Sequence, residues 1–252
     1  MTTCPNDRLG ATELPAMAAS GAFAVHSGAP TAATRTLWQV LEATTAAFPK
    51  AIAIDDGQSV VSYRDLLGRA RRAGERLAAL GMGAGDRIGI RITPGSAELY
   101  LFILAVLSIG AAYVRVDMDD PDDHAELAWS AAGVRAVLSD HGKLTWRTLP
   151  PARTAARPPA LEDDACIIVT SGTTSPPTGV AVTHGDAAAF AGTEANLVPP
   201  YDSPGPADRM LADLPVALDA AYKDMWLAWR HGACLVLAPP LGRPDDAEGL
   251  AD

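Results

Sequence analysis

Two spacings of apolar residues alternate along the chain from Thr36 onward. An apolar residue at every third or fourth position predicts an amphipathic helix, whereas alternation or a short apolar run predicts a strand. Ser62, with Asp65 three residues later, predicts a capping box at the start of the second helix. The predicted helices are Leu37–Phe48, Tyr63–Leu80, Ser96–Ser108, Asp122–Ala132, Asp186–Thr193 and Ala220–Trp229. The predicted strands are Ala51–Ile54, Ser59–Val61, Arg87–Ile92, Ala112–Val116, Arg135–Leu138, Ala165–Val169, Val180–Thr183, Met210–Asp213 and Ala233–Leu237.

Repeated units of strand, helix and strand predict an α/β fold with parallel-rich sheets that are flanked by helices on both faces. Residues 1–33 are rich in Ala, Thr, Gly and Pro without sustained periodicity, so we expect a flexible leader there. The segment Leu149–Ala160, rich in Pro, Ala and Arg, is expected to be a surface connection. A single domain is therefore expected over residues 34–252.

Composition and charge exclude several classes of function. The 252 residues are 48% hydrophobic and carry a formal net charge of −10, which argues against nucleic acids and anionic membranes as partners. The longest apolar stretch, Leu99 to Ile109, is too short to span a bilayer. Cys4, Cys166 and Cys234 lack the spacing of a zinc site or a disulfide framework, so we expect no metal site and a cytoplasmic protein.

The loop from Thr170 to Gly179 has the composition of a phosphate-binding loop. Its sequence is TSGTTSPPTG, between two predicted strands. Gly172 allows successive backbone N–H groups to converge, and Ser171 and Thr173 add small hydroxyl donors. An ordinary polar turn has the same composition, and from the residues alone that alternative stays open.

Several segments in order along the chain resemble one family. The string TSGTTSPPTGVAVTH is similar to the phosphate-loop signature of the adenylate-forming (AMP-binding) superfamily. Core motifs of nonribosomal peptide synthetase adenylation domains are similar to VSYRDL at 61–66, LSIGAAYVRVDMDDP at 107–121 and RMLADLPVALDAAYKDMWLAWRHGACLVLAPP at 209–240. The chain resembles the N-terminal half of such a domain, and the resemblance implies that half of the adenylate-forming fold, without its C-terminal half and mobile subdomain.

The resemblance implies two sets of binding residues. Asp219 aligns with the aspartate that holds the ammonium group of the amino-acid substrate, and Ala220 and Lys223 align with positions that line its side-chain pocket. A helix cap is the alternative role of Asp219, and a solvated helix face is the alternative for Lys223. We assign no catalytic residue. The resemblance implies that ATP phosphates, with Mg, meet Thr170, Ser171, Gly172, Thr173, Thr174, Thr178 and Gly179.

The chain also departs from the family pattern. Ser175 and Thr178 stand where the family loop has glycine and lysine, so a phosphate-directed cation is missing. The later motifs that contact adenine and ribose, and the lysine that stabilises the transition state, have no counterpart before Asp252. We therefore expect the isolated chain to be an inactive member of this ligase family.

Three functions stay open on the sequence. The first is a truncated or split amino-acid adenylation domain that needs a complementary C-terminal half, with an amino acid as substrate and a carrier-protein assembly as a further partner. The second is a non-catalytic docking or regulatory subunit of a biosynthetic assembly. The third, a nicotinamide-dependent oxidoreductase, is weak because the glycines of Gly81 to Gly85 precede a strand instead of joining a strand to a helix.

Overall fold

The computed structural model describes residues 34–148, 157–170, 177–197, 204–212 and 219–237. The predicted leader and most of the predicted connection at 149–160 lie outside these residues. The α-helices are α1 (Leu37–Ala47), α2 (Tyr63–Ala79), α3 (Ala97–Ser108), α4 (Asp122–Ala131), α5 (His184–Leu197) and α6 (Asp219–His231). The strands are β1 (Ile52–Asp55), β2 (Val60–Ser62), β3 (Arg87–Arg91), β4 (Ala112–Arg115), β5 (Ala136–Ser139), β6 (Lys143–Trp146), β7 (Asp164–Thr170), β8 (Thr178–Thr183), β9 (Arg209–Ala212) and β10 (Cys234–Leu237).

Local side-chain hydrogen bonds fix the starts of the first two helices. At α1, Thr36 and Gln39 form a complete capping box that the sequence analysis missed. At α2, the predicted cap is confirmed, because the Ser62 hydroxyl accepts a hydrogen bond from the Asp65 N–H. The reciprocal half of that box is wrong: the Asp65 carboxylate accepts from the Ser62 hydroxyl at 2.7 Å rather than from the Ser62 backbone.

The strands form two sheets with mostly parallel pairing. One sheet has four strands in the order β2-β1-β10-β9, and the other has six in the order β6-β5-β3-β4-β7-β8. The outer pairs β1·β2, β5·β6 and β7·β8 are antiparallel, and the inner pairs are parallel. We call the end of the six-stranded sheet at which β3, β4, β5 and β7 begin the amino edge, and the end at which they finish the carboxyl edge. The predicted parallel-rich α/β class is confirmed.

Helix α3 lies in the hydrophobic core that both sheets share. Its apolar residues, among them Ile103, Leu104 and Val106, are buried, and the same core includes Ile54 of β1 and Ile90 of β3. A helix that is apolar on most faces is stable only when it is enclosed. The opposite face of the six-stranded sheet is covered separately by α4, through a smaller group of apolar residues.

Helix α6 is fixed in the core by two tryptophans. Trp226 and Trp229 are both fully buried and pack edge to face, with ring centroids 5.6 Å apart. Trp229 also packs edge to face on Tyr100 of α3 and donates a hydrogen bond to the Ala53 carbonyl of β1 at 3.1 Å. These two core tryptophans fix the course of the helix that begins at Asp219.

Candidate functional site

The predicted phosphate loop joins the two strands of a β-hairpin. Strands β7 and β8 pair antiparallel up to the pair Thr170 and Thr178, with Val169 opposite Gly179. The two ends of the loop are therefore held side by side at the carboxyl edge. Ser171, Gly172, Thr173 and Thr174 lie outside the described residues, so their predicted conformation stays a prediction.

Gly179 has a packing reason to be glycine. A Cβ at this position would lie 2.9 Å from the Ile167 Cγ2 atom of β7 and 3.6 Å from the Ala132 Cα atom beyond α4. The first distance is shorter than real Cβ contacts, so the Ile167 side chain or β8 would have to shift to admit a larger residue, whereas the second is an ordinary van der Waals distance. Glycine at this position therefore lets β8 pack closely on Ile167, whether or not its N–H group also meets a ligand.

The carboxyl edge collects polar side chains beside this hairpin. Strand β3 ends at Arg91, β4 at Arg115 and β7 at Thr170. Arg91 donates to Asp122 at 2.6 Å and to the Asp120 carbonyl at 2.6 Å. In open sheets with parallel strands, ligands bind in the crevice outside the carboxyl ends of the strands. The predicted phosphate loop thus leaves the sheet at the edge where this class of fold places its ligands.

Arg115 is the buried cation of this edge, and its side chain is only 3% exposed. It pairs with Asp117 at 2.9 Å and donates to the Val116 carbonyl at 2.8 Å. Burial lowers the pKa of Arg115, and the Asp117 carboxylate opposes that change. Burial raises the pKa of Asp117, and Arg115 again opposes it. Each charge therefore depends on the other for its stability inside the protein.

Tyr100 connects this ion pair electrostatically with α6. Burial raises its pKa to about 12, the charge of Arg115 acts in the opposite direction, and the charge of Asp224 on α6 adds to the increase. Tyr113, two residues before Arg115 in β4, is buried in the core that contains α3. Arg115 therefore lies on the side of the sheet that faces α3.

The predicted substrate residues occupy the first turns of α6. Asp219 and Ala220 are the first two residues of the helix, and Lys223 follows one turn later. The structure describes their place in the helix but not their side chains, so the ammonium-binding role, the capping role and the pocket role stay predictions. The predicted start of this helix differs from the observed one by a single residue.

Thr178 begins β8 and is exposed. Ser175 lies outside the described residues. A threonine hydroxyl can donate a hydrogen bond to a phosphate but carries no positive charge. The sequence analysis missed Arg115, the arginine at the end of β4, which is the strand beside β7. Its signal was a pair of opposite charges, Arg115 and Asp117, two positions apart at the end of the apolar run of β4.

The described residues contain neither an arrangement typical of a metal centre nor a helix typical of a membrane span. No group of three or more His, Cys, Asp or Glu side chains among them is arranged to hold a metal ion. None of the helices described above is both long enough and apolar enough to cross a membrane.

Comparison with known proteins identifies the family. The family model described as AMP-binding enzyme matches residues 41–252. The chain is 33% identical to CymA of Salinispora arenicola, a probable nonribosomal peptide synthetase, over 82% of this chain and 3% of that protein. It is 32% identical to an L-proline–[L-prolyl-carrier protein] ligase of Pseudomonas fluorescens, over 77% of this chain and 43% of that protein.

A solved structure matches the fold along most of the chain. The N-terminal subdomain of NpsA from Klebsiella oxytoca, in complex with anthranilyl-AMSN, is 28% identical with a TM-score of 0.69, and the match covers 85% of this chain and 57% of that one. The chain thus spans little more than half of this solved subdomain and less than half of the two relatives. The chain belongs to the family of AMP-binding enzymes and is the N-terminal part of an adenylation domain of the nonribosomal peptide synthetase type.

Proposed function

We propose that this chain takes part in the ATP-dependent activation of an amino acid as aminoacyl-AMP for nonribosomal peptide synthesis. We also propose that it acts together with further parts of the adenylation domain that a second chain or a longer chain supplies. Family membership supports the adenylation chemistry. An amino acid is proposed as the substrate because α6 starts at Asp219.

An aspartate at this point of the fold suits an α-amino acid. The first turn of α6 follows β9 in the chain, and Trp229 fixes the helix to β1 of the four-stranded sheet and to α3. A carboxylate in a partly dry pocket binds an ammonium group through short charge-assisted hydrogen bonds. A carboxylic acid without an ammonium group would leave that carboxylate without a partner, at a cost in affinity.

The need for further parts follows from the chemistry of adenylation. The reaction is an in-line displacement at the α-phosphate of ATP, and its catalysis depends on positioning and on neutralisation of charge. This chain spans 57% of the solved NpsA subdomain, which is itself described as one subdomain of an enzyme. The groups that hold adenine, ribose and the transition-state charge in the family are therefore proposed to come from outside these residues.

ATP and a carrier protein are the proposed ligands beside the amino acid. The name of the Pseudomonas fluorescens relative includes a prolyl-carrier protein, which supports a carrier protein as the acceptor of the activated amino acid. Mg is proposed to accompany ATP, held mainly by the phosphates themselves, as is usual for this ion.

A second candidate is a non-catalytic subunit that keeps the adenylation fold as a docking or regulatory surface. Thr178 favours it, because threonine supplies no charge at a position where the family loop carries lysine. Loss of one charge-assisted contact weakens phosphate binding by roughly ten- to a hundredfold. The two candidates differ in one measurable respect, since only the first gives amino-acid-dependent exchange after the missing parts are added.

Substitution of Asp219 tests the proposed substrate class. With the remaining parts of the domain supplied as a second chain, Asp219→Ala is expected to lower kcat/KM for the preferred amino acid by roughly ten- to a hundredfold. The activity with the deaminated analogue should change much less, because that analogue has no ammonium group. ATP–pyrophosphate exchange measures both activities. Equal losses for the two substrates would contradict the role of Asp219 in ammonium binding.

A further inference from the structure

Helix α2 carries a row of basic side chains on its exposed surface. Arg69, Arg72 and Arg76 are spaced three and four positions apart, and Leu80 follows four positions later at the end of the helix. Residues at this spacing share one face of a helix. All four residues are exposed, and none of the three arginines forms an ion pair with another residue that the structure describes. We call these four residues the basic ridge.

The basic ridge contrasts with the charge of the whole molecule. Helix α2 contains five arginines and two acidic residues, a formal net charge of +3, whereas the chain has a formal net charge of −10. A local positive surface on an acidic protein attracts carboxylates, and Leu80, which is 50% exposed, adds an apolar contact at one end. The ridge therefore fits a row of carboxylates that ends in an apolar side chain.

An arrangement of this kind occurs at the start of α4. Asp119 and Asp120 lie in the turn before the helix, Asp123 lies in its first turn, and Leu127 follows one turn later. All four residues are exposed, Leu127 by 53%. Within the described part of the chain, the three aspartates have no ion-pair partner. We call these four residues the acidic patch.

The two surfaces lie on different sides of the molecule. Leu66 and Leu77 fix α2 in the core that both sheets share, where the helix packs on α3. Trp129 of α4 packs in the smaller group of apolar residues on the opposite face of the six-stranded sheet. A sheet therefore separates the basic ridge from the acidic patch, and their charges can be paired only through contact with another molecule.

A second copy of the chain offers the complement of each surface. The basic ridge has three arginines followed by a leucine, and the acidic patch has three aspartates followed by a leucine. Two molecules with the same net charge repel each other at long range, but at physiological ionic strength charges more than about 8 Å apart are largely screened. The groups at the contact then decide whether two copies associate, and these groups have opposite charges.

We propose that the basic ridge of one molecule binds the acidic patch of a second copy of this chain, with Leu80 and Leu127 at the same end of the contact. Because the two surfaces differ, each molecule can use both at once, and association extends beyond dimers. Exposed ion pairs contribute little each, so the contact is weak, with a dissociation constant of about 0.1–1 mM. The contact involves neither the predicted phosphate loop nor Asp219, so its test is independent of the proposed function.

Sedimentation equilibrium of the full 252-residue chain tests the contact. The average mass should rise above that of one chain as the concentration approaches about 1 mM. The variants Arg72→Glu/Arg76→Glu and Asp119→Lys/Asp123→Lys should each weaken self-association by about tenfold or more, because like charges then face each other. An equimolar mixture of the two variants should associate as the parent does, since each variant supplies the charges that the other lacks.

Two control variants reverse the same number of charges outside both surfaces. Arg35→Glu/Arg71→Glu changes an exposed arginine before α1 and an arginine of α2 that lies about 100° around the helix from Arg72. Glu42→Lys/Glu162→Lys changes a glutamate of α1 and an exposed glutamate before β7. Self-association of both controls should stay within about twofold of the parent.

Three results would overturn the proposal. They are a parent chain that stays monomeric at about 1 mM, control variants that lose as much self-association as the two test variants, and a mixture of the test variants that stays monomeric. Circular dichroism shows whether each variant is folded. If one test variant does not fold, the other still decides the matter by comparison with its control.

Discussion

The two edges of the six-stranded sheet use arginine in opposite ways. At the amino edge, Arg135 pairs with Asp86 and lies 5.7 Å over the ring of Trp146, and Arg87 pairs with Asp164 at 3.3 Å. At the carboxyl edge, Arg115 is buried and pairs with Asp117 at 2.9 Å, next to the strand that leads into the predicted phosphate loop.

The contrast indicates that the two edges have different roles. Aromatic rings and carboxylates from different strands surround the arginines of the amino edge, so their role is to hold β3, β5, β6 and β7 together. The arginines of the carboxyl edge pair with carboxylates that follow β4 in the chain: Arg115 with Asp117, and Arg91 with Asp122 at the start of α4. Since ligands of parallel sheets bind at carboxyl ends, changes at the amino edge should reduce stability and changes at the carboxyl edge should alter binding.

The largest expected effect is on stability at the amino edge. Arg135→Met leaves the carboxylate of Asp86, which is 12% exposed, without its ionic partner. Breaking a buried pair in this way costs about 3–5 kcal/mol of unfolding free energy. Urea denaturation of the purified chain measures the loss. The control Arg71→Met removes an exposed pair with Glu42 and should cost under about 1 kcal/mol. Similar losses for the two variants would contradict the structural role of the amino edge.

The next effect concerns pH and His184, which follows β8 at the amino edge. Its side chain is fully buried, and burial lowers its pKa to about 4 although the charge of Asp163 acts in the opposite direction. Between pH 6.5 and pH 4, His184 is therefore protonated in the unfolded chain but neutral in the folded chain. The free energy of unfolding consequently falls as the pH falls through this window. On going from pH 7 to pH 5, this one residue should lower the free energy of unfolding by about 2 kcal/mol.

Substitution of His184 isolates that contribution. Urea denaturation at pH 7 and at pH 5 gives the free energy of unfolding of the parent and of His184→Leu. The decrease between the two pH values should be about 2 kcal/mol smaller for the variant than for the parent. His124→Leu, at an exposed histidine of α4, is the matched control and should keep the pH dependence of the parent. If the free energy of unfolding decreases equally for His184→Leu and for the parent between pH 7 and pH 5, His184 is not held neutral in the folded state.

The smallest effect belongs to the carboxyl edge. Thr178→Lys restores the cation of the family loop and should tighten ATP binding about tenfold, because one charge-assisted contact is added. It should not restore exchange in the isolated chain, since tighter binding of the ground state does not by itself raise the chemical rate. Thr178→Gln, with added length but no charge, is the control. Equal affinities of the lysine and glutamine variants would show that this position does not meet a phosphate.

Sequence periodicity predicted most of the fold. Helix α2 has a clear spacing of apolar residues, α3 is a long apolar segment, and each follows a capping serine, so their bounds were correct to within one or two residues. Strand β6 was missed because only four residues, Lys143–Trp146, alternate between exposed and partly buried positions. The turn of its hairpin with β5 includes His141, which adopts a positive φ of 59°. A histidine does not predict this backbone conformation as a glycine would.

The candidate site could be predicted only where it resembles a known pattern. The role of Asp219 is predicted from its register within a long motif, and the phosphate loop between two strands from its residue types, whereas the antiparallel pairing of those strands was not predicted. Arg115 was not found, because its neighbours in β4 are apolar and the run was interpreted as a buried strand. The proximity of β4 to β7, which are separated by 48 positions or more in sequence, is set by sheet order. Local pattern does not contain that information.

Amino-acid-dependent ATP–pyrophosphate exchange tests the central claim most directly. The purified chain is assayed with a panel of amino acids, alone and together with a second chain that carries the remaining parts of an adenylation domain. We expect no exchange by the isolated chain, because positioning and charge stabilisation supply about 7–11 kcal/mol of the barrier reduction or more. We expect exchange with one amino acid or a few similar ones after the second chain is added. Robust exchange by the isolated chain, or none with any complementing chain, would contradict the account.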